Sequence, residues 1–182
     1  MTDPRRRAAK LVALLAAVVL IGIFFSRGAD RPADPTLQPA AAARTPVEGF
    51  GQIGFRIEET NIRGATAADR CALLAETARQ QGQGLMNRRD LSGYDAMIFD
   101  FKGETTTQFY MKDTPMPLSI AWFDASGRFV SATDMSPCLG QAECPFYPAA
   151  GPYRYALEVP KGGLAALGAG PGSRLVLTPA CS

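Results

Sequence analysis

The chain has no histidine among its 182 residues. Its chemistry must therefore run on carboxylates, Lys, Tyr, Ser/Thr or Cys. A Ser-His-Asp or Cys-His nucleophile, an imidazole general base and a zinc site with histidine ligands are excluded. The densest polar and aromatic cluster is Tyr110, Lys112, Asp113 and Thr114, followed by Pro115 and Pro117. Period-two alternation puts Gln108, Tyr110 and Lys112 on one face of a strand and sends Phe109 and Met111 to the core. Such a rim presents a ring, an ammonium and a carboxylate to a ligand. On the structural reading, Lys112 and Asp113 are a solvated strand end and Thr114-Pro115 sets a turn. Arg88, beside Arg89, is suited to gripping an anion in two-pronged fashion, or to pairing with Asp100 or Glu158 and ordering the fold. Asp100 lies between Phe99 and Phe101, and Glu158 between Leu157 and Val159. Each faces solvent on a period-two strand, unless both turn into one cleft and support two-carboxylate hydrolysis of the glycosidase type. The ligand-binding candidates are Arg88, Tyr110, Lys112, Asp113 and Glu158, with no catalytic residue assigned.

Other motifs point to packing. Met86, Met97, Met111 and Met116 read as core filler rather than a metal-binding set. The Gly-rich stretches 82–86 and 162–172 match neither a dinucleotide fingerprint nor a P-loop, and read as turns. No metal and no cofactor are expected. Seven of the 19 basic and four of the 17 acidic residues fall in positions 1–48. The body keeps 12 basic and 13 acidic residues. With no basic surplus to neutralise phosphates, it is not expected to bind nucleic acid.

The elements that must position these residues begin with a targeting segment. Residues 1–10 form a basic stub read as cytoplasmic. Residues 11–26, LVALLAAVVLIGIFFS, are uncharged and long enough to approach a bilayer-spanning helix. The basic bias places the N-terminus in the cytoplasm and the body outside, as a single-pass membrane protein. A cleaved signal peptide, cut after Gly28 and releasing a secreted body, is the rival reading. A buried core helix is the third, and the absence of any polar face speaks against it. Residues 27–48 are a Pro/Ala-rich spacer. Residues 49–182 form the extracytoplasmic body, large enough for one hydrophobic core.

The four cysteines, Cys71, Cys138, Cys144 and Cys181, suit disulfides in an exported domain. Cys138 and Cys144 bracket a turn-rich loop flanked by Pro137 and Pro145, which brings its ends together readily. That leaves Cys71 with Cys181. The six-residue spacing of Cys138 and Cys144 is not that of a redox pair.

The body alternates with period two between Gly, Pro, Asp and Asn. Strands are expected around Ile53–Ile57, Cys71–Ala75, Ala96–Phe101, Gln108–Met111, Ser119–Phe123, Arg128–Thr133, Tyr153–Val159 and Arg174–Thr178. Asp124–Gly127 makes a hairpin turn between two of them. Tyr153, Tyr155, Leu157 and Val159 are expected on one face. Short helices are expected over Glu76–Gln83 and Gly163–Leu167. About eight short strands in this length predict a compact β-sandwich or barrel-like domain.

Four segments occur in a recognisable order: Gly84-Leu-Met-Asn-Arg-Arg-Asp-Leu91, Asp95-Ala-Met-Ile-Phe-Asp-Phe101, Gln108-Phe-Tyr-Met-Lys-Asp-Thr-Pro-Met-Pro-Leu118 and Tyr155-Ala-Leu-Glu-Val-Pro-Lys-Gly-Gly163. Their order and spacing resemble the domain of unknown function 192 family over roughly Cys71–Leu177. The resemblance implies a compact β-rich domain, often exported or tethered. The family has no established activity, so no catalytic residue is carried over. It usually has Trp-Met-Lys/Arg-Asn-Thr where this chain has Tyr110-Met-Lys-Asp-Thr114, and an acidic residue where this chain has Ser119. Gly51–Arg70 and the Cys138–Cys144 loop look like additions to the common core. The expected function is non-catalytic binding of a ligand or partner in the cell envelope, with a carboxylate-dependent envelope hydrolase as the alternative.

Overall fold

The computed structural model describes residues 43–59, 68–179 and Cys181. The basic stub 1–10, the apolar run 11–26 and most of the spacer 27–48 lie outside these residues. Among the described residues no helix is long and apolar enough to cross a membrane.

Among the described residues, nine strands and two short helices follow one another as β1 (Gly51–Glu59), β2 (Arg70–Ala75), α1 (Ala78–Gln83), β3 (Ala96–Thr105), β4 (Phe109–Tyr110), β5 (Leu118–Phe123), β6 (Phe129–Met135), β7 (Phe146–Tyr147), β8 (Tyr153–Pro160), α2 (Leu164–Leu167) and β9 (Ser173–Thr178). Seven strands form one curled half-barrel sheet in the order β6-β5-β8-β3-β2-β1-β9, and β4 pairs with β7 in a separate ladder. The fold is thus mainly β, as the alternation predicts, with one strand more than expected. The additional strand is β7, which follows directly on the Cys138–Cys144 loop. The expected strand Gln108–Met111 is cut to two residues, because Met111 and Lys112 turn to bond Cys138. All pairings in the large sheet are antiparallel except β2 with β3.

Apolar residues on alternate positions give the sheet two buried faces. One carries Leu73, Met97, Phe99, Ile120 and Trp122; the other carries Phe55, Ile57, Ile98, Ala121, Phe123 and Leu157. Tyr153 departs from expectation. It packs on the first face, while Tyr155, Leu157 and Val159 pack on the second. The β3–β8 register shifts between Asp100 and Thr105, opposite this point, which breaks the alternation.

Helix α1 starts two residues later than expected, because Thr77 caps it. The Thr77 side chain accepts from Gln80 N, and the Gln80 side chain accepts from Thr77 N, a reciprocal capping box. Both expected disulfides are present, Cys71–Cys181 and Cys138–Cys144, with Cα separations of 5.0 and 5.9 Å.

The edges of the sheet meet at the Asp124–Gly127 turn. Burial opposes ionisation of Asp124, but hydrogen bonds from Ser126 and Arg128 outweigh it and hold its carboxyl down at about 2. Gly127 has φ +80°, and its carbonyl accepts from Leu175 N on β9 at 2.8 Å. A Cβ there would run into the Leu175 carbonyl. Gly127→Ala is therefore expected to destabilise the domain by about 1–3 kcal/mol in urea unfolding, through left-handed strain and a forced β6–β9 edge. An unchanged midpoint would show that this contact contributes nothing.

Candidate functional site

Glu158 occupies the middle of β8, which lies between β3 and β5. Its backbone partners are Met97 on one side and Ile120 on the other. Both neighbours belong to the first buried face, so Glu158 points into that face and is only 4 % exposed. The solvent-facing reading fails because a central strand covered on both sides has no wet face. Desolvation pushes the Glu158 carboxyl up to about 8. Among the described residues, no side chain or backbone N–H donates a hydrogen bond to it.

Above Glu158 is a cavity of about 370 Å³. One wall is helix α1, tied down by Gln81 Nε2, which donates to the Asp100 carbonyl at 3.0 Å. The chain leaves α1 through Gly84, at φ +46°, where a Cβ would touch the Phe99 ring at 3.4 Å. It then supplies Met86 to the wall. The aromatic wall comes from Phe99 and Phe101 on β3 and from Phe109 and Tyr110 on β4. Phe99 meets Phe109 edge-on at 5.0 Å.

The turn after β4 closes the far side. Thr114 N and Cys138 N both donate to the Met111 carbonyl, Asp113 N donates to the Cys138 carbonyl, and Asn87 N donates to the Asp113 carbonyl at 2.7 Å. Thr114, buried, lines the cavity and donates from its hydroxyl to the Lys112 carbonyl. The Cys138–Cys144 disulfide thus braces the cavity wall from behind.

The five sequence candidates separate. Glu158 and Tyr110 share the cavity, Glu158 buried and Tyr110 at 40 % exposure on the rim. Lys112 does not line it. With Tyr110, Lys112 borders a shallower hollow against Cys144 and Phe146, whose exposed ring meets Tyr110 edge-on at 6.0 Å. Asp113 is a backbone element with φ +52°. The family's usual Asn at this place suits the same left-handed turn, which favours a structural role. Ser119 is structural as well: its hydroxyl donates to Asp134 at 2.6 Å and accepts from Gly162 N at 2.9 Å.

Arg88 pairs with neither Asp100 nor Glu158. Its Nη2 donates to Ser92 Oγ at 2.7 Å, and its Nε is buried without a partner among the described residues. Asp100 is bound instead by Arg154 Nε at 3.3 Å. It alternates with Phe99 and Phe101 and so faces away from Glu158. The two carboxylates do not meet in one cleft. Sequence reading also missed Met86 and Gln81. Met86 looked like core filler, and residues 82–86, GQGLM, looked like a bare turn. The one legible signal was three glutamines, Gln80, Gln81 and Gln83, on a short helix that buries none of its residues.

Residues 60–177 match the model of the DUF192 family, described as uncharacterized ACR. Two crystal structures are similar in fold. One is a Sinorhizobium meliloti 1021 protein described as a "putative transcription regulator", at 26 % identity and TM-score 0.59, covering 70 % of this chain and 95 % of that one. The other is a protein of unknown function from Novosphingobium aromaticivorans DSM 12444, at 28 % identity and TM-score 0.58, covering 75 % and 93 %. No curated protein matches the chain.

Proposed function

The chain belongs to the DUF192 family, and we propose that it is a non-catalytic binding module that takes a small organic ligand into the cavity beneath α1. The observation that carries this reading is the Glu158 carboxyl, buried at the cavity floor with no donor from the described fold. Such a group lowers stability unless something else pairs with it, and perturbed carboxyls in apolar pockets concentrate at functional sites. The cavity volume lies in the range of small-ligand sites.

We place the module outside the cytoplasm, tethered by residues 11–26. Two disulfides and no free cysteine among the described residues support an oxidising compartment. The hydrolase alternative has less support, because Glu158 is the one carboxylate lining the cavity among the described residues. The near-neutral body gives no support for carrying over a nucleic-acid role from the S. meliloti neighbour.

A thermal-shift screen of the full chain against small organic molecules tests the reading. A ligand at a hundred times its Kd stabilises by about 2.7 kcal/mol. The stabilisation should vanish in Met86→Trp, which fills the cavity. A ligand bound equally well by that variant would overturn the assignment.

A further inference from the structure

The cavity has an uneven chemistry that narrows its ligand. It holds one carboxyl and, among its lining residues, no Lys or Arg. An anion entering it would lose its hydration and find no countercharge. Three of its polar side chains are engaged within the fold. Gln81 donates to Asp100, Thr114 to Lys112, and Thr107 is hydrogen-bonded to Thr105 at 2.8 Å. The remaining polar lining, Gln83, Gln108 and the Tyr110 hydroxyl, offers a neutral ligand no charge to match Glu158. The rings of Phe99, Phe101, Phe109 and Tyr110 and the sulfur of Met86 are uncharged and polarisable, and the ring faces favour a positive neighbour. What the site lacks is a donor for Glu158.

We propose that the cavity selects an organic monocation, whose ammonium group sits against the Glu158 carboxylate while its hydrocarbon part lies on the aromatic wall. This rests on the cavity being the binding site. A charge-assisted hydrogen bond in a water-poor pocket is stronger than a neutral one, and the aromatic wall adds cation–π attraction. The proton balance is explicit: the protonated carboxyl and the ammonium ion give a carboxylate–ammonium pair and one proton released to solvent. No ionisable group besides Tyr110 shares the lining with Glu158. The flanking strands β3 and β5 present Met97 and Ile120, and α1 presents Gln81. The released proton is therefore that of Glu158.

The probes are benzylammonium and its neutral counterpart benzyl alcohol, titrated calorimetrically into the detergent-solubilised full chain at pH 7 in phosphate and in MOPS. The two buffers have different ionisation enthalpies, which reports the protons exchanged. Benzylammonium should bind at least tenfold more tightly than benzyl alcohol and release about 0.9 proton, as follows for a carboxyl titrating near 8. The release should fall to about half a proton at about pH 8, where the carboxyl is half ionised and benzylammonium is still charged. Glu158→Gln should weaken benzylammonium at least tenfold and abolish the release without lowering the melting temperature. Equal binding of the two probes, unchanged binding by Glu158→Gln, or no binding of benzylammonium at millimolar concentration overturns the cation proposal. Those results leave the cavity reading standing. Benzylammonium binding that survives Met86→Trp overturns both.

Discussion

Replacing Cys71 and Cys181 together by alanine will lower the stability of the domain by about 3–5 kcal/mol, a large share of the roughly 5–15 kcal/mol that holds a domain folded. The bridge joins residues 110 apart in sequence. In the chain-entropy account, opening a loop of that length returns more freedom to the unfolded chain than opening the Cys138–Cys144 loop, whose separation is 6 and whose removal should cost about 2 kcal/mol. The native state loses packing as well. Cys71 is fully buried on β2, and Cys181 follows β9, the edge strand held by β1. Urea unfolding of both double variants, each extrapolated to water with its own m-value, measures the two contributions. A loss for the Cys71/Cys181 pair no greater than that for Cys138/Cys144 would refute this ranking.

Raising the pH from about 5 to about 8 will destabilise the protein through Glu158, and Glu158→Gln will remove that effect. The sign follows from the two pKa values. Below the ordinary 4.5 the carboxyl is protonated in both states. Between 4.5 and about 8 the unfolded chain gives up the proton and the folded one keeps it. The unfolded state then binds fewer protons, so stability falls as pH rises, and the loss is complete above about 8. The ceiling is on the order of 4–5 kcal/mol, from about 1.4 kcal/mol for each pH unit. Glu158→Gln should be more stable than the natural protein at about pH 8 by a few kcal/mol and nearly equal to it at about pH 5. Other groups titrate identically in both proteins and cancel in the difference. A difference that does not vary with pH would show that Glu158 is ionised in the folded state, and would remove its role as a buried acid.

The two effects bear on how much of this molecule was legible in its sequence. The cysteine pairing was, because a short turn-rich loop with a proline on either side favours a local bridge and leaves one partner for each remaining cysteine. The strands were too, since turns such as Asp124–Gly127 punctuate period-two runs. The sidedness of β8 was not. Alternation tells which residues share a face, but not whether the other face meets water, and Glu158 looked solvated until β3 and β5 closed on it. The cavity was illegible for the same reason. Its wall is assembled from α1, β3, β4 and the turn at Thr114, which follow one another in the chain, but its floor is Glu158 of β8, more than forty residues on, and only the sheet pairing brings the two together. The Tyr110–Thr114 cluster looked like a single rim because its residues are consecutive. The left-handed turn at Asp113 divides it between the cavity, the outer hollow and the backbone scaffold.

The order of strands in the sheet governs when a newly made chain can fold. Strands β5 and β6 form one hairpin, and β1, β2 and β3 form another group, but these pieces have no shared edge until β8 enters between β3 and β5. The outer edge of β1 likewise stays open until β9 arrives. Both strands come from residues 153–178, after every other strand of the sheet. Under the export proposed above, the body would enter its compartment from its anchor-proximal end as two unjoined, apolar fragments, and would wait for β8 and β9. In that case the segment would stay unfolded and passable until β8 and β9 had been delivered, with apolar surface exposed in the interval.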